Sequence, residues 1–536
     1  MRTLFFLPLL LGVPATPVSA CGPFFPESVL EQASSILRPP HFAFEMELEQ
    51  IDLDIELPGN LELPAKVPAA SRISGPVHPD PEDGAKRLFQ FTPEQLLANE
   101  NDCRRQLLKT NSDLARDVAE LAGMHAEFPD QDTIRMLTEY RVLRAFMLPA
   151  GMPKEVEEKL DFGAKVKAEN QVKNREWPKG LPEEFRLYLE GAADFKDQKW
   201  ADSAAHFSEL LALPLERRKH RSTWAAYLLA RIELEKGDPV MERTAPHFRR
   251  VLELREEGCH DVLELGWDAI RCLADYHDLP NGPEFDPGQA LRYRFAAARK
   301  RAAIDDQVRK LFQVCRKQLK SGKIGFATES PFLRQLMTAV ATSSGGTIRY
   351  WEGEKPEDNL WLQTLHGRRA ELTPAEFAKA AFLAYRTGNL ELAEDFAKLA
   401  PKDDSLALWI SAKLDTKKGQ VRTARSKIAR AESGFPEDYS SEGDRFNEAF
   451  VSYDTHDDTR RHRTSQFWAD RALLHMAHDD YEEALDAFAR GGWPEDAAYI
   501  AEQILSLEEV LTFVRDRWPT EESTGGEQLP YTLRYT

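Results

Sequence analysis

Residues 373–436 contain two copies of one pattern, and this internal repeat limits the possible folds more than any other feature of the sequence. The copies align at a common offset of 31 residues, which pairs Ala381 with Ala412 and Gly388 with Gly419. Each copy has an apolar run with helical spacing, then a glycine, then a second run with alanine on its inner face. One such helical pair cannot bury its apolar face alone, so the units must stack on neighbours. The repeat therefore predicts an all-α protein built as a solenoid of helical hairpins.

Two further segments follow the same pattern. Segment 466–491 places Ala472 and Asp479 in register with the first two copies, and segment 187–254 carries a weaker copy that includes Gly191. Together the copies resemble the tetratricopeptide repeat (TPR) family, although the offset of 31 residues is shorter than that family's repeat of about 34 residues. The resemblance implies a TPR-like α-α superhelix that binds a protein partner or an envelope component on its concave surface. We expect Lys379, Tyr385 and Asp415, from first-helix positions, to line that surface.

The N-terminus predicts export. Leu4–Val13 is an apolar run too short to span a bilayer, and small residues follow it up to Cys21, so residues 1–20 are typical of a signal peptide. Cys21 after Val-Ser-Ala resembles a bacterial lipobox, in which the cysteine is acylated, whereas ordinary signal peptidase would cleave the same bond. Gly22 in second place favours the outer membrane. The expected location is thus the cell envelope, as an outer-membrane lipoprotein or a periplasmic protein.

The segment after the signal peptide predicts the only β structure in the chain. Apolar and acidic residues alternate from His41 to Leu57, with a phase change at Gln50, which is typical of a short strand with a bulge. We expect 21–90 to form a tether with this β/extended segment and a proline-rich linker. The remaining predicted parts are a helical-hairpin domain at 91–340, a linker at 341–370, TPR-like repeats at 371–518 and an irregular tail at 519–536.

The net charge and the motif content argue against several classes of function. The net charge of −19, from 70 Lys plus Arg against 89 Asp plus Glu, argues against a nucleic-acid binder. Basic residues cluster between Arg292 and Lys320, where they would either meet an anionic partner or pair with acidic neighbours. The chain has no nucleotide-binding or hydrolase motif, and we expect no cofactor.

The histidines and cysteines indicate no metal site by their spacing. Cys259-His260, Cys272 and His277 offer metal-type ligands, but the two cysteines lie too far apart for a zinc motif. Cys259 and Cys272 would either form a disulfide that ties adjacent helices or remain buried free thiols. We therefore expect a lipid-anchored interaction scaffold. The alternatives are an envelope hydrolase with its site among the helices of 91–320, and a structural assembly factor.

Overall fold

The computed structural model describes residues 28–30, 35–40, 44–63, 114, 116–125, 130–147, 162–236, 241–300, 305–343, 356–435 and 456–517. The signal peptide, Cys21, most of the proline-rich linker, residues 344–355 of the second linker and the tail 519–536 lie outside these ranges. All regular secondary structure in the described ranges is helical, and a lone β-bridge joins Leu57 to Leu61. None of the described helices combines the length and the apolar character needed to cross a bilayer.

The chain forms two compact units. The large unit comprises the described residues among 39–411 and 453–463, and the small unit those among 1–38, 412–452 and 464–536. A helical segment at 116–123 lies between the first and second labelled helices. In chain order the labelled helices are α1 (Phe44–Gln50), α2 (Gln131–Met147), α3 (Phe162–Asn174), α4 (Glu183–Lys196), α5 (Trp200–Ala212), α6 (Ser222–Glu235), α7 (Met241–Glu256), α8 (Leu265–His277), α9 (Pro287–Lys300), α10 (Asp305–Ser321), α11 (Pro331–Thr342), α12 (Pro356–Gly367), α13 (Pro374–Arg386), α14 (Leu390–Leu399), α15 (Ser405–Lys417), α16 (Val421–Ala431), α17 (His456–Met476), α18 (Tyr481–Arg490), α19 (Pro494–Gln503) and α20 (Leu507–Arg517).

Helices that follow one another in the chain pack as pairs. In the large unit α4 packs on α5, α6 on α7, α8 on α9 and α13 on α14, and in the small unit α18 packs on α19. Ala381 of α13 and Ala393 of α14 are fully buried, as the repeat pattern predicts for small residues between two close helices. The prediction of an all-α architecture of helical hairpins is confirmed.

The four repeat copies share one kind of turn after their first helix. One residue in each turn has left-handed backbone geometry: Gln198 (φ 59°), Gly388 (φ 77°), Gly419 (φ 74°) and Asp479 (φ 62°). The N–H of the next residue donates to the carbonyl five positions earlier, as from Asn389 to Ala384 at 2.8 Å. This bond defines a Schellman motif, which ends a helix by satisfying its last carbonyl groups. Asp479 thus occupies the position that glycine holds in the first two copies.

A close approach of α4 and α5 requires Gly191. A Cβ atom at this position would lie 2.6 Å from the ring of Phe207. The carbonyl of Gly191 accepts a hydrogen bond of 2.8 Å from the hydroxyl of Ser203, which also lies on α5. The backbone of α4 at Gly191 therefore packs directly against side chains of α5, because glycine has no side chain that would keep the two helices apart.

The predicted N-terminal strand is wrong for residues 44–50, which form helix α1. Phe44, Glu47, Leu48 and Ile51 are all at most 5% exposed. This spacing of three and four residues places them on one helical face. Phe44 and Leu48 lie on the same side both in a strand, where every second residue shares a face, and in a helix. Burial against the other helices of the large unit favoured the helix.

The basic segment pairs with acidic neighbours. Its side chains lie on α9 and α10, and several of them contact carboxylates of other elements. These ion pairs are Arg292–Asp54, Arg294–Asp278, Lys300–Glu264 and Arg316–Asp358. Of the two interpretations that the sequence left open, the structure favours internal pairing for these residues.

Three cysteines of the described ranges are free thiols. Cys259 and Cys315 are buried and Cys272 is half-buried, so Cys259 and Cys272 do not form the disulfide that the sequence allowed. Burial raises the pKa of Cys272 to about 11. Cys103 lies outside the described residues.

Candidate functional site: a buried charged cluster with two histidines

The three residues predicted to bind a partner have structural contacts within their own units. Lys379 of α13 pairs with the carboxylate of Glu47, which lies on α1. Tyr385 is 6% exposed and Asp415 is 7% exposed. An ion pair of 2.7 Å joins Nζ of Lys427 to the carboxylate of Asp415. Two of the three side chains are therefore buried, and the third is held in an ion pair.

A different group of side chains converges in the large unit, and we call it the charged cluster. It collects residues from the helical segment 116–123, from α2 and α4, from the turn just before α6 and from the loop after α7. Its members are Asp117, Glu120, Tyr140, Arg144, Glu184, His220, Arg221 and His260. Asp117 and Glu120 are three residues apart, and Tyr140 and Arg144 are four apart, so each pair projects from one face of its helix.

Arg221 is the centre of the charged cluster. Its side chain is fully buried, and it donates to the carboxylates of Asp117 and Glu120. The guanidinium also lies 4.0 Å from the ring centroid of Phe185 and 4.3 Å from that of Trp224. A buried cation is tolerated when carboxylates and aromatic faces compensate for lost water. Arg221 therefore joins the helical segment 116–123 to α4 and α6.

Asp117 accepts hydrogen bonds from three side chains in the core. Tyr140 donates through its hydroxyl at 2.7 Å, Arg144 through Nε at 2.6 Å, and Arg221 completes the set. Burial alone would raise the pKa of Asp117, but the charges of Arg221 and Arg144 lower it below its ordinary value. Burial and the neighbouring Asp117 raise the pKa of Tyr140, so its hydroxyl remains a donor.

Glu184 of α4 holds the chain just before α6 in place. One of its oxygens, Oε2, accepts the backbone N–H groups of His220 at 3.0 Å and Arg221 at 3.1 Å. Burial raises the pKa of Glu184 in spite of His220 and these N–H donors. The side chains of His220 and Arg221 therefore start from a backbone that is anchored to α4.

Glu120 extends the charged cluster towards the surface. Its Oε1 atom lies 3.1 Å from Nδ1 of His220 and 2.8 Å from Nδ1 of His260. The exposed side-chain fraction rises from 4% for Glu120 to 18% for His220 and 48% for His260. Burial would raise the pKa of Glu120, but the hydrogen bond with His220 and the charge of Arg221 lower it below its ordinary value. The carboxylate is therefore ionised at neutral pH, and it faces two imidazoles.

The backbone also fixes His260. Its N–H donates to the carbonyl of Lys219 at 2.8 Å, and its carbonyl accepts from the hydroxyl of Thr223 at 2.6 Å. The rings of His220 and His260 meet edge to face, with centroids 4.4 Å apart. One carboxylate and two imidazoles held in this way have the donor types for proton exchange or for binding a metal ion.

Sequence spacing could not identify this group. The sequence offers His260 as a metal-type ligand together with Cys259, Cys272 and His277, yet His277 contacts the carbonyl of Glu284 at 3.0 Å instead. The actual neighbours of His260 are Glu120, 140 positions away in the chain, and His220. No local motif links these positions. The chain matches no protein-family model and shows no significant similarity to a curated protein.

Proposed function

We propose that the protein is an exported, lipid-anchored scaffold of the bacterial cell envelope, in which a TPR-like α-α superhelix binds a protein partner. The architecture of consecutive helix pairs with a shared Schellman turn supports a repeat protein of this kind. The signal-like segment before Cys21 supports export. Proteins built from such pairs bind through exposed side chains on their helical surfaces.

One exposed apolar face carries the proposal of a protein partner. On α20, Leu507, Leu511 and Val514 are 75%, 60% and 46% exposed. Their spacing of four and three residues places them on one side of the helix, whereas Phe513 is buried at 3%. A contiguous apolar face in water is typical of a protein-protein contact. We name Leu507, Leu511 and Val514 the α20 face.

The contacts of the N-terminal segment with other residues of the small unit support a membrane anchor near that unit. The carboxylate of Asp496, at the start of α19, accepts bonds from the hydroxyl of Ser28 at 2.7 Å and the N–H of Val29 at 2.9 Å. Lys413 donates to the carbonyl of Ile36 at 2.8 Å. Cys21 lies seven residues before Ser28, so even a fully extended chain holds an acylated Cys21 within about 25 Å of that anchor point.

A pull-down of the mature chain from envelope extract, with mass spectrometry of the captured proteins and the N-terminal peptide, tests the proposal. We expect a reproducible partner and an acylated Cys21. The double variant Leu507→Glu/Leu511→Glu should lose the partner. Leu399→Glu, at a lone leucine that is 52% exposed on α14, should retain it. Equal capture by both variants, or an unmodified Cys21 without any partner, would overturn the scaffold.

An envelope hydrolase with its site among the helices of 91–320 is the second candidate. The buried carboxylates of Asp117, Glu120 and Glu184 favour it, because enzymes often gather such groups in a partly closed site. The two arginines that neutralise these carboxylates favour a structural role instead. Hydrolysis of an envelope polymer that is abolished by Glu120→Gln would favour the enzyme. A stable complex of fixed stoichiometry without turnover would favour the scaffold or an assembly factor.

A further inference from the structure

We propose that Glu120, His220 and His260 bind one zinc ion at the outer edge of the charged cluster. One ligand atom from each residue lies within 4.8 Å of the other two. The donors are a carboxylate oxygen and two imidazole nitrogens, which is a set that zinc prefers and that magnesium and calcium, with their all-oxygen sites, do not.

The distances between the donor atoms suit a zinc ion. Oε1 of Glu120 lies 3.1 Å from Nδ1 of His220 and 2.8 Å from Nδ1 of His260. Two ligand atoms bound tetrahedrally at about 2.0–2.1 Å from zinc are about 3.3 Å apart. For these two pairs of atoms, shifts of a few tenths of an ångström are enough to admit the ion, and the donor atoms of the two histidines lie within 4.8 Å of each other.

Neighbouring groups orient all three ligands. Arg221 binds Oε2 of Glu120 at 2.5 Å, which turns Oε1 towards the histidines. Glu184 fixes the backbone of His220, and Thr223 fixes the backbone of His260. Partners of this kind, one step removed from the ligands, keep a metal site in place and strengthen binding.

The local charge permits a divalent cation. Within the charged cluster the carboxylates of Asp117 and Glu120 contact the guanidinium groups of Arg144 and Arg221, and the carboxylate of Glu184 accepts the backbone N–H of Arg221. The three acids outnumber the two bases, so the positive charge of Arg221 is already neutralised before a metal ion binds. With neutral imidazoles, the ligand set adds no positive charge of its own.

Three protein ligands leave a fourth zinc position for water. Structural zinc sites normally use four protein ligands, whereas sites with three are open to exchangeable groups. His260 has a side chain that is 48% exposed, which gives the ion and the water a route from solvent. We therefore infer an exchangeable site at the surface of the large unit.

Zinc titration of the metal-free full-length mature chain by calorimetry tests the proposal. We expect one site per chain in the wild type. His260→Ala removes the most exposed ligand and should lower the affinity at least tenfold, since even groups one step from the metal change affinity by 10–100-fold. Glu120→Gln should also weaken binding, and Co²⁺ bound in place of zinc should give a visible absorption band that both variants lose.

His206→Ala is the matched control. His206 lies 3.4 Å from both Glu190 and Asp194, so it is a histidine between carboxylates outside the three proposed ligands. This variant should bind zinc as the wild type does. Circular dichroism of each metal-free variant checks that its fold is retained. Wild-type affinity in a folded His260→Ala protein, or no single site in the wild type, would overturn the proposal.

Discussion

Arg221 and Glu120 share one contact that links the core of the large unit to its surface. The guanidinium donates to Oε2 of Glu120 at 2.5 Å, and the other oxygen of the carboxylate faces His220 and His260. The same guanidinium also pairs with the fully buried Asp117. A change at Arg221 should therefore affect the stability of the fold and the geometry of the two histidines together.

Arg221→Met should lower the free energy of unfolding by about 3–5 kcal/mol, because it leaves buried carboxylates without their cation. Arg217→Met is the control, since Arg217 pairs with Glu183 across side chains that are 62% and 37% exposed. An exposed pair of this kind contributes under about 1 kcal/mol. Urea unfolding followed by tryptophan fluorescence measures both variants. Equal effects of the two substitutions would contradict the central position of Arg221.

Asp117 should make stability depend on acid pH. Its pKa is below the ordinary 3.8 in the folded chain, so the unfolded chain binds more protons between the folded value and 3.8. The contribution is fully present above 3.8 and is lost as the pH falls through the folded value. The stability difference between wild type and Asp117→Asn should therefore be largest near neutral pH and should shrink below pH 3.8.

Thermal unfolding of both proteins at pH 7 and at steps down to pH 3 measures this difference. Asp202→Asn provides the control, because Asp202 is an exposed residue in the first turn of α5. A difference for Asp117→Asn that stays constant or grows on acidification would refute the assigned pKa direction.

Gly191→Ala should destabilise the pair α4 and α5. The added methyl group would lie 2.6–2.8 Å from three ring atoms of Phe207, and overpacking of this kind costs about 1–3 kcal/mol. Gly123→Ala is the matched control, because its methyl group would meet no atom within 4 Å and alanine favours the helix by up to about 1 kcal/mol. Denaturant midpoints of the two variants should move in opposite directions, and a stable Gly191→Ala would argue against the close approach.

Cys272 should react slowly with alkylating reagents in the native protein. Burial raises its pKa to about 11, and only the thiolate attacks. At pH 8 the reactive fraction is then about two orders of magnitude below that of an ordinary thiol with a pKa of about 8.5. Timed labelling with iodoacetamide, read by mass spectrometry of the Cys272 peptide with and without urea, measures the rates. Rapid native labelling, or a peptide disulfide-linked to Cys259, would contradict the structure.

Sequence spacing predicted the turns better than it predicted the side-chain contacts. The alignment placed Asp479 opposite Gly388 and Gly419, and the structure gives all three left-handed backbone geometry. Such turns depend on a few consecutive residues, which a repeat pattern shows directly. Phe44–Gln50 was predicted to be a strand and is a helix. A short apolar segment can match both the helical period of 3.6 residues and the strand period of two residues. The elements that pack around the segment decide which structure forms.

The sequence by itself determined that this chain builds helical hairpins, because period, small residues and turn residues are local properties. Only the tertiary structure decided which polar side chains meet. Tyr385 and Asp415 occupy first-helix positions yet lie buried, whereas Glu120, His220 and His260 converge across separations of up to 140 residues. Contacts between distant segments depend on how the helices stack. Many individually weak packing interactions together select one arrangement, and no single sequence motif encodes them.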